Sequence, residues 1–317
     1  MARISVVIPA RDAAATVGRT ITALAAQELD GEWEAILVDD GSTDGTVSVA
    51  QAAAAAAHMD LTWVRQEPSG PGPARNLGAA NASAPALAFL DADCFPQRGW
   101  LAAGLAALDS ADLVLGRVVP DPAVPLGPFD RSLWVTRESG LYEAASLFVR
   151  RDLFERLGGF EAWLDPEVGK PLAEDVWFGW RARRSGARTS FCERALAHHA
   201  VFPRGPAGFA AERLRLVHFP AIAAKVPELR REWLYARAFL TARSAAFDAA
   251  VAGTALAALR RSPAPLTAAI PYAALAVRDA RRWGRRGPAV LAANVAADAV
   301  GAAALVFGSL KRRSPVL

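Results

Sequence analysis

Two aspartates one residue apart, Asp91 and Asp93, close an apolar run in ALAFLDADCFP (86–96). Like charges this near to each other are unfavourable unless water, a cation or another positive group offsets them. In a turn, Asp-x-Asp can direct both carboxylates at one divalent cation, whose charge removes their repulsion and then neutralises a diphosphate. Mg²⁺ takes one or two carboxylates together with substrate phosphates and water, and this spacing supplies that set. The same spacing also occurs in solvated turns whose acids cap the next helix, so the pair alone leaves both readings open.

Three further segments carry chemistry. In VDDGSTDGT (38–46), an acid at a strand end can accept from a ribose hydroxyl or a base N–H; the same string also reads as an Asx and glycine turn leading to a helix. GPGPARNLG (70–78) lacks the Gly-Lys-Ser/Thr ending of a Walker loop. Arg75 within it sits where a guanidinium at a helix start meets phosphates, or is a surface arginine. AEDVW (173–177) offers Glu174 and Asp175, either as acids that the helix macrodipole favours in a first turn or as a general base.

Strands alternating with helices must position these residues. ISVVIPA (4–10), WEAILVDDGS (33–42), LTWVRQ (61–66) and PALAFLDAD (85–93) read as strands, with AATVGRTITALAAQ (14–27), TVSVAQAAAAAAH (46–58) and the segment after Gly70 as helices between them. That order predicts an α/β fold, a mostly parallel sheet with helices on both faces, whose ligands bind beyond the carboxyl ends of the strands. Pro9 to Asp12, Asp39/Asp40 and Asp91/Asp93 all fall at such ends and define one rim. Further on, LVLGRVVP (113–120) reads as a strand and ASLFVRRDLFERLGGF (145–160) as strand, helix and Gly-Gly stop. LAEDVWFGWRARRSG (172–186) reads as a helix capped by Gly186.

Taken in order, ISVVIPARD, VDDGSTDGT, GPARNLG, FLDAD, FVRRDLFERLGGF and EDVWFGWRARRSG resemble the succession in family 2 glycosyltransferases of the GT-A fold, over residues 3 to 202. The resemblance implies an inverting enzyme that moves a sugar from a nucleotide-diphosphate donor to an acceptor hydroxyl. It sets Pro9, Ala10 and Arg11 against the nucleoside and Asp40 on the base or ribose, with Arg75 helping to hold the nucleotide. It makes Asp93, with Asp91 assisting, the site of Mg²⁺ or Mn²⁺, Asp175 the base and Glu174 its neighbour in acceptor binding. A histidine after the ED pair reaches the metal or diphosphate in some relatives; in RALAHHAVFP (194–203), His198 and His199 are the candidates, with His199 taken as the metal residue. Asp12 stands where relatives often carry Asn. No Gln-x-x-Arg-Trp follows the ED pair, which favours one sugar per encounter over polymer extension.

The rival enzyme classes fit less well. A haloacid-dehalogenase-like phosphatase also places Asp-x-Asp after a strand, but near its N-terminus and followed by Thr or Val where this chain has Phe95. A nucleotidyltransferase would show a Gly-rich loop and Lys after the first strand, which IPARDAAAT lacks. A nucleotide-binding protein without catalysis is the non-enzyme alternative, and the acids at 91, 93 and 175 argue against it.

The formal net charge of +4 conceals a division. Residues 225–317 hold 15 Lys/Arg and 5 Asp/Glu, whereas the first 224 hold 21 and 27, an acidic body with a basic tail. The tail's cations lie among Ala-, Leu- and Val-rich segments, which suits an anionic membrane surface and not nucleic acid. The expected domains are 1–220, catalytic, and 221–317, helical and membrane-associated. PAVLAANVAADAVGAAALVFGSLKRR (288–313) is long enough to span a bilayer but carries Asn294 and Asp298 mid-segment, so helices lying on the leaflet or packed on the body are expected. A soluble helical appendage or a dimer interface is the alternative. Two cysteines give no disulfide or zinc framework, and the apolar run before Arg11 is too short for a signal peptide. The expected location is cytoplasmic, peripheral at the inner face of the membrane, which goes with a lipid-linked or envelope acceptor bearing a free hydroxyl.

Overall fold

An apolar run without polar alternation belongs in a strand covered on both faces. Ile4–Ala10 (β1) is such a run, and every residue in it except Pro9 is fully buried. The structure, a computed structural model, describes residues 2–164 and 172–317. Strands β2 (Trp33–Asp39), β3 (Thr62–Arg65), β4 (Ala86–Leu90), β5 (Cys94–Pro96), β6 (Leu113–Pro120), β7 (Ser146–Arg150) and β8 (Thr189–His199) complete one sheet, in the order β3-β2-β1-β4-β7-β6-β8-β5. The first four positions in that order are parallel. β7 is reversed against both β4 and β6, β8 is parallel to β6, and β5 closes the edge antiparallel to β8. The mostly parallel α/β sheet expected from the sequence is present, with these two strands turned round.

Helices α1 (Val17–Ala25), α2 (Thr46–Ala56), α3 (Pro71–Ala80), α4 (Trp100–Ala107), α5 (Arg151–Arg156) and α6 (Glu174–Arg184) flank the sheet. Trp100, Phe89, Phe148, Phe178 and Tyr142 are the large side chains wholly removed from water between these layers.

One irregularity positions the site. Gly116 of β6 pairs with Cys192, but the next residue, Arg117, pairs with Leu196. An unequal count of residues on paired strands bends the pair and increases its twist. Beyond this break the end of β8 pairs with β5 as well as with β6, and Cys94 lies opposite His199. The turn Asp91-Ala92-Asp93 thus carries the chain from the middle of the sheet at β4 to its far edge at β5.

The chain divides into two compact units, Met1–Pro125 with Ser132–Val201, and Leu126–Arg131 with Phe202–Leu317. The second is helical: α7 (Pro206–Glu212), α8 (Phe219–Lys225), α9 (Leu229–Glu232), α10 (Ala242–Arg260), α11 (Ile270–Arg281) and α12 (Gly287–Arg312). α10 begins in a capping box, Thr241 and Ser244 each accepting from the other's backbone N–H. α12 buries a stripe at Val290, Ala293, Ala297, Gly301, Leu305 and Gly308 along its whole length. Its mid-helix acid is compensated: Asp298 Oδ2 accepts from Arg243 Nε and from Tyr272 Oη, both at 2.8 Å, while Arg243 Nη1 donates to Asp279 at 2.9 Å. Among the described residues, Gly284–Arg312 is the one helical stretch long and apolar enough to cross a membrane, by length and composition.

Candidate active site

The strand-end loops are tied to one another before any ligand is considered. Asp40, at the end of β2, is buried, and Oδ1 accepts from Gln66 Nε2 and Ser69 N at 2.7 Å each, while Oδ2 accepts from Gly70 N at 2.9 Å. Gly70 precedes α3 at φ +96°, a conformation that favours glycine and allows its N–H to face that carboxylate. Asp40 therefore organises the loop leading to α3, and Arg11 Nη1 approaches it at 4.0 Å. Asp39 is also buried and pairs with Arg65 Nη1 at 2.9 Å. Pro9 and Ala10 end β1 in register with Val38 and Asp39, so the predicted nucleoside-side residues and Asp40 do share one rim. A staple that no motif announces lies beside them: Asp12 Oδ1 accepts from Thr43 N at 2.8 Å, Ala13 N donates to Thr46 Oγ1 at 2.8 Å, and Ala14 N to Asp44 Oδ2 at 3.0 Å.

The second part of the rim is the Asp-x-Asp turn, where the two acids have different partners. Asp93 is 26% exposed, and its Oδ2 lies 3.5 Å from His199 Nε2. His199 Nδ1 is 2.6 Å from the Ala200 carbonyl oxygen, to which it donates as the Nδ1–H tautomer. In the neutral ring, a proton on Nδ1 puts the Nε2 lone pair on the Asp93 side. Strand alternation separates the two histidines: Ala195, Ala197 and His199 share one face of β8, and His198 takes the other, beside Gln97. Asp93, Cys94 and His199 offer ligand atoms within 4.8 Å of one another. The Cys94 thiol is pushed well up by burial and then by the nearby Asp93 and Asp91 charges, so it stays protonated. A carboxylate oxygen beside a correctly oriented imidazole fits a divalent cation of the Mg²⁺/Mn²⁺ kind, with open positions for phosphate and water.

Asp91 is not one of those three residues and has a partner of its own. Its Oδ1 accepts from Arg75 Nη2 at 2.8 Å, and Arg75 Nη1 reaches Glu174 Oε1 at 3.1 Å. Arg75 is itself buried, with its guanidinium carbon 5.5 Å from the Phe160 ring centroid. Burial works against its charge, yet Asp91, Glu174 and Asp175 outweigh burial and hold the guanidinium more firmly protonated than usual. The predicted nucleotide arginine is in this structure a clamp between the Asp-x-Asp turn and the first turn of α6.

Asp175 stands next to Glu174 at the start of α6. Its Oδ1 accepts from its own helix's Val176 N at 2.8 Å, and Oδ2 receives a long contact from Ala144 N at 3.4 Å. Burial, then the Glu174 charge, push its carboxyl up to about 8 against the pull of Arg75, and Glu143 adds to the rise. Glu143, which the sequence reading passed over, has one buried carboxyl oxygen without a hydrogen bond, and burial pushes it up as well. It sits in a loop with no recurrent pattern that would mark it in the sequence.

The curled eight-stranded α/β sheet with its flanking helices is a fold of the GT-A type. The family model for glycosyl transferase family 2 matches residues 5–158, just under half of the chain, and together with the relatives and structures below it supports a family 2 glycosyltransferase. Glycosyltransferase AglE of Haloferax volcanii is 28% identical over 213 residues, which are 64% of this chain and 68% of AglE. The pre-mycofactocin glycosyltransferase of Mycobacterium tuberculosis is 29% identical over 214 residues, 62% of this chain but 42% of that protein. Among solved structures, the mannosyltransferase PcManGT from Pyrobaculum calidifontis, in complex with GDP-Man and Mn²⁺, superposes with a TM-score of 0.67 at 21% identity. That match covers 98% of this chain and 87% of PcManGT. S. aureus TarS in complex with UDP-GlcNAc gives 0.52 at 18% identity, covering 98% and 92%. These structural likenesses concern the fold.

Proposed function

We propose that this chain transfers a single sugar from a nucleotide-diphosphate donor to an acceptor hydroxyl, with inversion at the anomeric carbon. The observation that carries the reading is the separation of acids by partner: Asp93 faces His199, whereas Asp175 heads α6 with its carboxyl raised. Asp93 and His199 would hold Mg²⁺ or Mn²⁺, with Asp91 assisting from its place on Arg75. When bound, the cation supplies positive charge to the diphosphate as it leaves. Pro9, Ala10 and Arg11 line the nucleoside side, and Asp40 shapes the loop there while keeping one Oδ2 lone pair for a ribose or base donor.

Asp175 accepts the proton of the acceptor hydroxyl as that oxygen attacks the anomeric carbon and the bond to the diphosphate breaks. A raised carboxyl is a stronger base than an ordinary aspartate, which suits proton transfer from an alcohol. Glu174, fixed by Arg75, orients the first turn of α6 and borders the acceptor. A single displacement needs one carboxylate base and no carboxylate nucleophile, hence the inverted product.

The basic helical unit supports peripheral attachment to an anionic membrane at the inner face of the cell membrane, and with it a lipid-linked or envelope acceptor. That PcManGT was captured with GDP-Man and Mn²⁺ and TarS with UDP-GlcNAc supports a nucleotide-sugar donor here. The test is a calorimetric panel of GDP- and UDP-sugars with and without Mn²⁺, followed by NMR of the transferred anomer. One donor should bind in a Mn²⁺-dependent manner and yield the opposite anomer; a retained anomer, or no donor binding at all, overturns the proposal.

A further inference from the structure

α11 is amphipathic in an unusual sense, because both of its long faces are apolar. Tyr272, Ala276 and Ala280 are buried against the rest of the helical unit. Ile270, Ala273, Ala274 and Val277 face outward and, with Arg278 and Arg281, line an open groove of about 590 Å³. Ile270 is 63% and Val277 38% exposed. From the last turn of α11 onward, residues 278–286 carry five arginines and a single acid, Asp279, which Arg243 engages and Arg278 Nε approaches at 3.6 Å. All five guanidinium side chains belong to exposed residues, and half-buried Trp283 sits among them.

An apolar strip that runs into a cluster of cations complements an anionic lipid surface, with acyl chains against the strip and headgroup phosphates against the arginines. A water-facing helix would carry charge on this strip, and a protein partner of ordinary composition would not call for five cations beside one acid that is already engaged. The long helix α12 has the composition of a span, but its packing argues otherwise. A Cβ on Gly308 would fall 2.2 Å from the Val217 carbonyl oxygen, and one on Gly301 3.8 Å from Arg213 Cβ. The segment Arg213–His218 therefore lies directly along the last turns of α12, and Arg243 grips Asp298 at its middle. Inserting α12 would draw Arg213, Arg215 and Arg243 into hydrocarbon, where charged groups are strongly disfavoured.

We infer that α11 is the membrane-contacting element, lying in the headgroup plane of an anionic bilayer through Ile270, Ala274, Val277 and the arginines at 278, 281 and 282, while α12 stays out of the bilayer as the spine of its unit. The inference rests on the membrane attachment proposed above and specifies the surface and mode.

The test is flotation of the full chain with phosphatidylcholine vesicles, with and without phosphatidylglycerol. The chain should float with the phosphatidylglycerol vesicles alone, be released by high salt, and wash off in alkaline carbonate. Arg281→Glu with Arg282→Glu should lower partitioning at least about twentyfold, since each cation at such a surface is worth about fivefold. Ile270→Glu with Val277→Glu, both at exposed positions, should abolish it, whereas Phe307→Glu with Leu310→Glu on α12 should leave it intact. Resistance to carbonate, loss through the α12 pair alone, or a dimer in sedimentation that the 270/277 pair dissolves would each overturn the inference. Mn²⁺-dependent donor binding, measured on the same variants, should be unchanged, so that failed flotation with intact donor binding sinks the surface and not the transferase reading.

Discussion

Arg75 and Glu174, 99 residues apart in sequence, meet with Nη1 and Oε1 at 3.1 Å, both side chains buried, and the other end of the same guanidinium holds Asp91. The Asp-x-Asp turn and the helix headed by Asp175 are thereby fixed to one group. A planar fork with several donors can do this; a point charge on a flexible stem cannot hold both acids in fixed directions.

Arg75→Ala should therefore destabilise the protein by about 3–5 kcal/mol, the cost of leaving buried charges without their partner. Arg75→Lys should retain part of that stability but lose most transfer activity, because one ammonium cannot orient Asp91 and Glu174 together. Urea denaturation of the two variants, paired with turnover at saturating donor, checks both statements. Equal activity in Arg75→Lys and the parent would show that the clamp's geometry is irrelevant.

For Asp175 the pH dependence has a definite sign. The raised carboxyl keeps its proton through the neutral range, and the base form is present only above it, so kcat/KM should climb as pH rises toward about 8 and level off beyond. In Asp175→Asn, turnover should fall by about 10²–10⁴ with donor affinity retained, and the climb should vanish. Stability moves oppositely. Because the folded state holds this proton longer than the unfolded chain, stability is lost as pH rises from the ordinary carboxylate range through about 8. Thermal unfolding without ligand should show Asp175→Asn gaining on the parent across that window, with the two converging in acid.

Much of this was legible in the sequence, and the exceptions have physical reasons. β1 and β6 occupy the ranges their apolar runs indicate, Ile4–Ala10 and Leu113–Pro120, since a strand buried on both faces is written in consecutive Val, Ile and Leu. β8 was not legible. Its first half is interrupted by exposed Glu193 and Arg194 at the register break, and its second half alternates on alanine, a residue with little strand preference. With β8 unseen, the parity that points His199 toward Asp93 could not be read. Arg75's role was hidden for another reason: a helix start predicts proximity to a ligand, but three acids brought from residues 91, 174 and 175 are a property of the folded chain. The interior acid of the last helix was legible only as a cost, because its partner Arg243 lies 55 residues away.

At the cation side, Asp93→Ala should abolish the Mn²⁺ dependence of donor binding, whereas His199→Gln should weaken Mn²⁺ affinity and leave donor binding recoverable at high Mn²⁺. Loss of the imidazole should exceed the 10–100-fold change typical of removing a group that merely orients a ligand. Titration of each variant with Mn²⁺ in the presence of the nucleoside diphosphate separates the cases. His198→Gln is the control and should titrate like the parent, as it lies on the opposite face of β8 beside Gln97.

The helical unit has its own polar cluster, and its removal should be felt there alone. Arg243 is bound to Asp279 and Asp298, and Tyr272 donates to the same Asp298 oxygen that receives Arg243 Nε. Arg243→Ala would leave two partly buried carboxylates without their cation, where hydrogen bonds to charged groups are each worth about 1.5–3 kcal/mol. Adding Asp298→Asn should restore much of the loss, because the amide can still accept from Tyr272 and no longer brings an unpaired charge. Hydrogen exchange should show the single variant accelerating amides of α10, α11 and α12, while β1, β2 and β4 keep their protection. If the double variant were no more protected than the single one, the ion pair would not be what holds these three helices together.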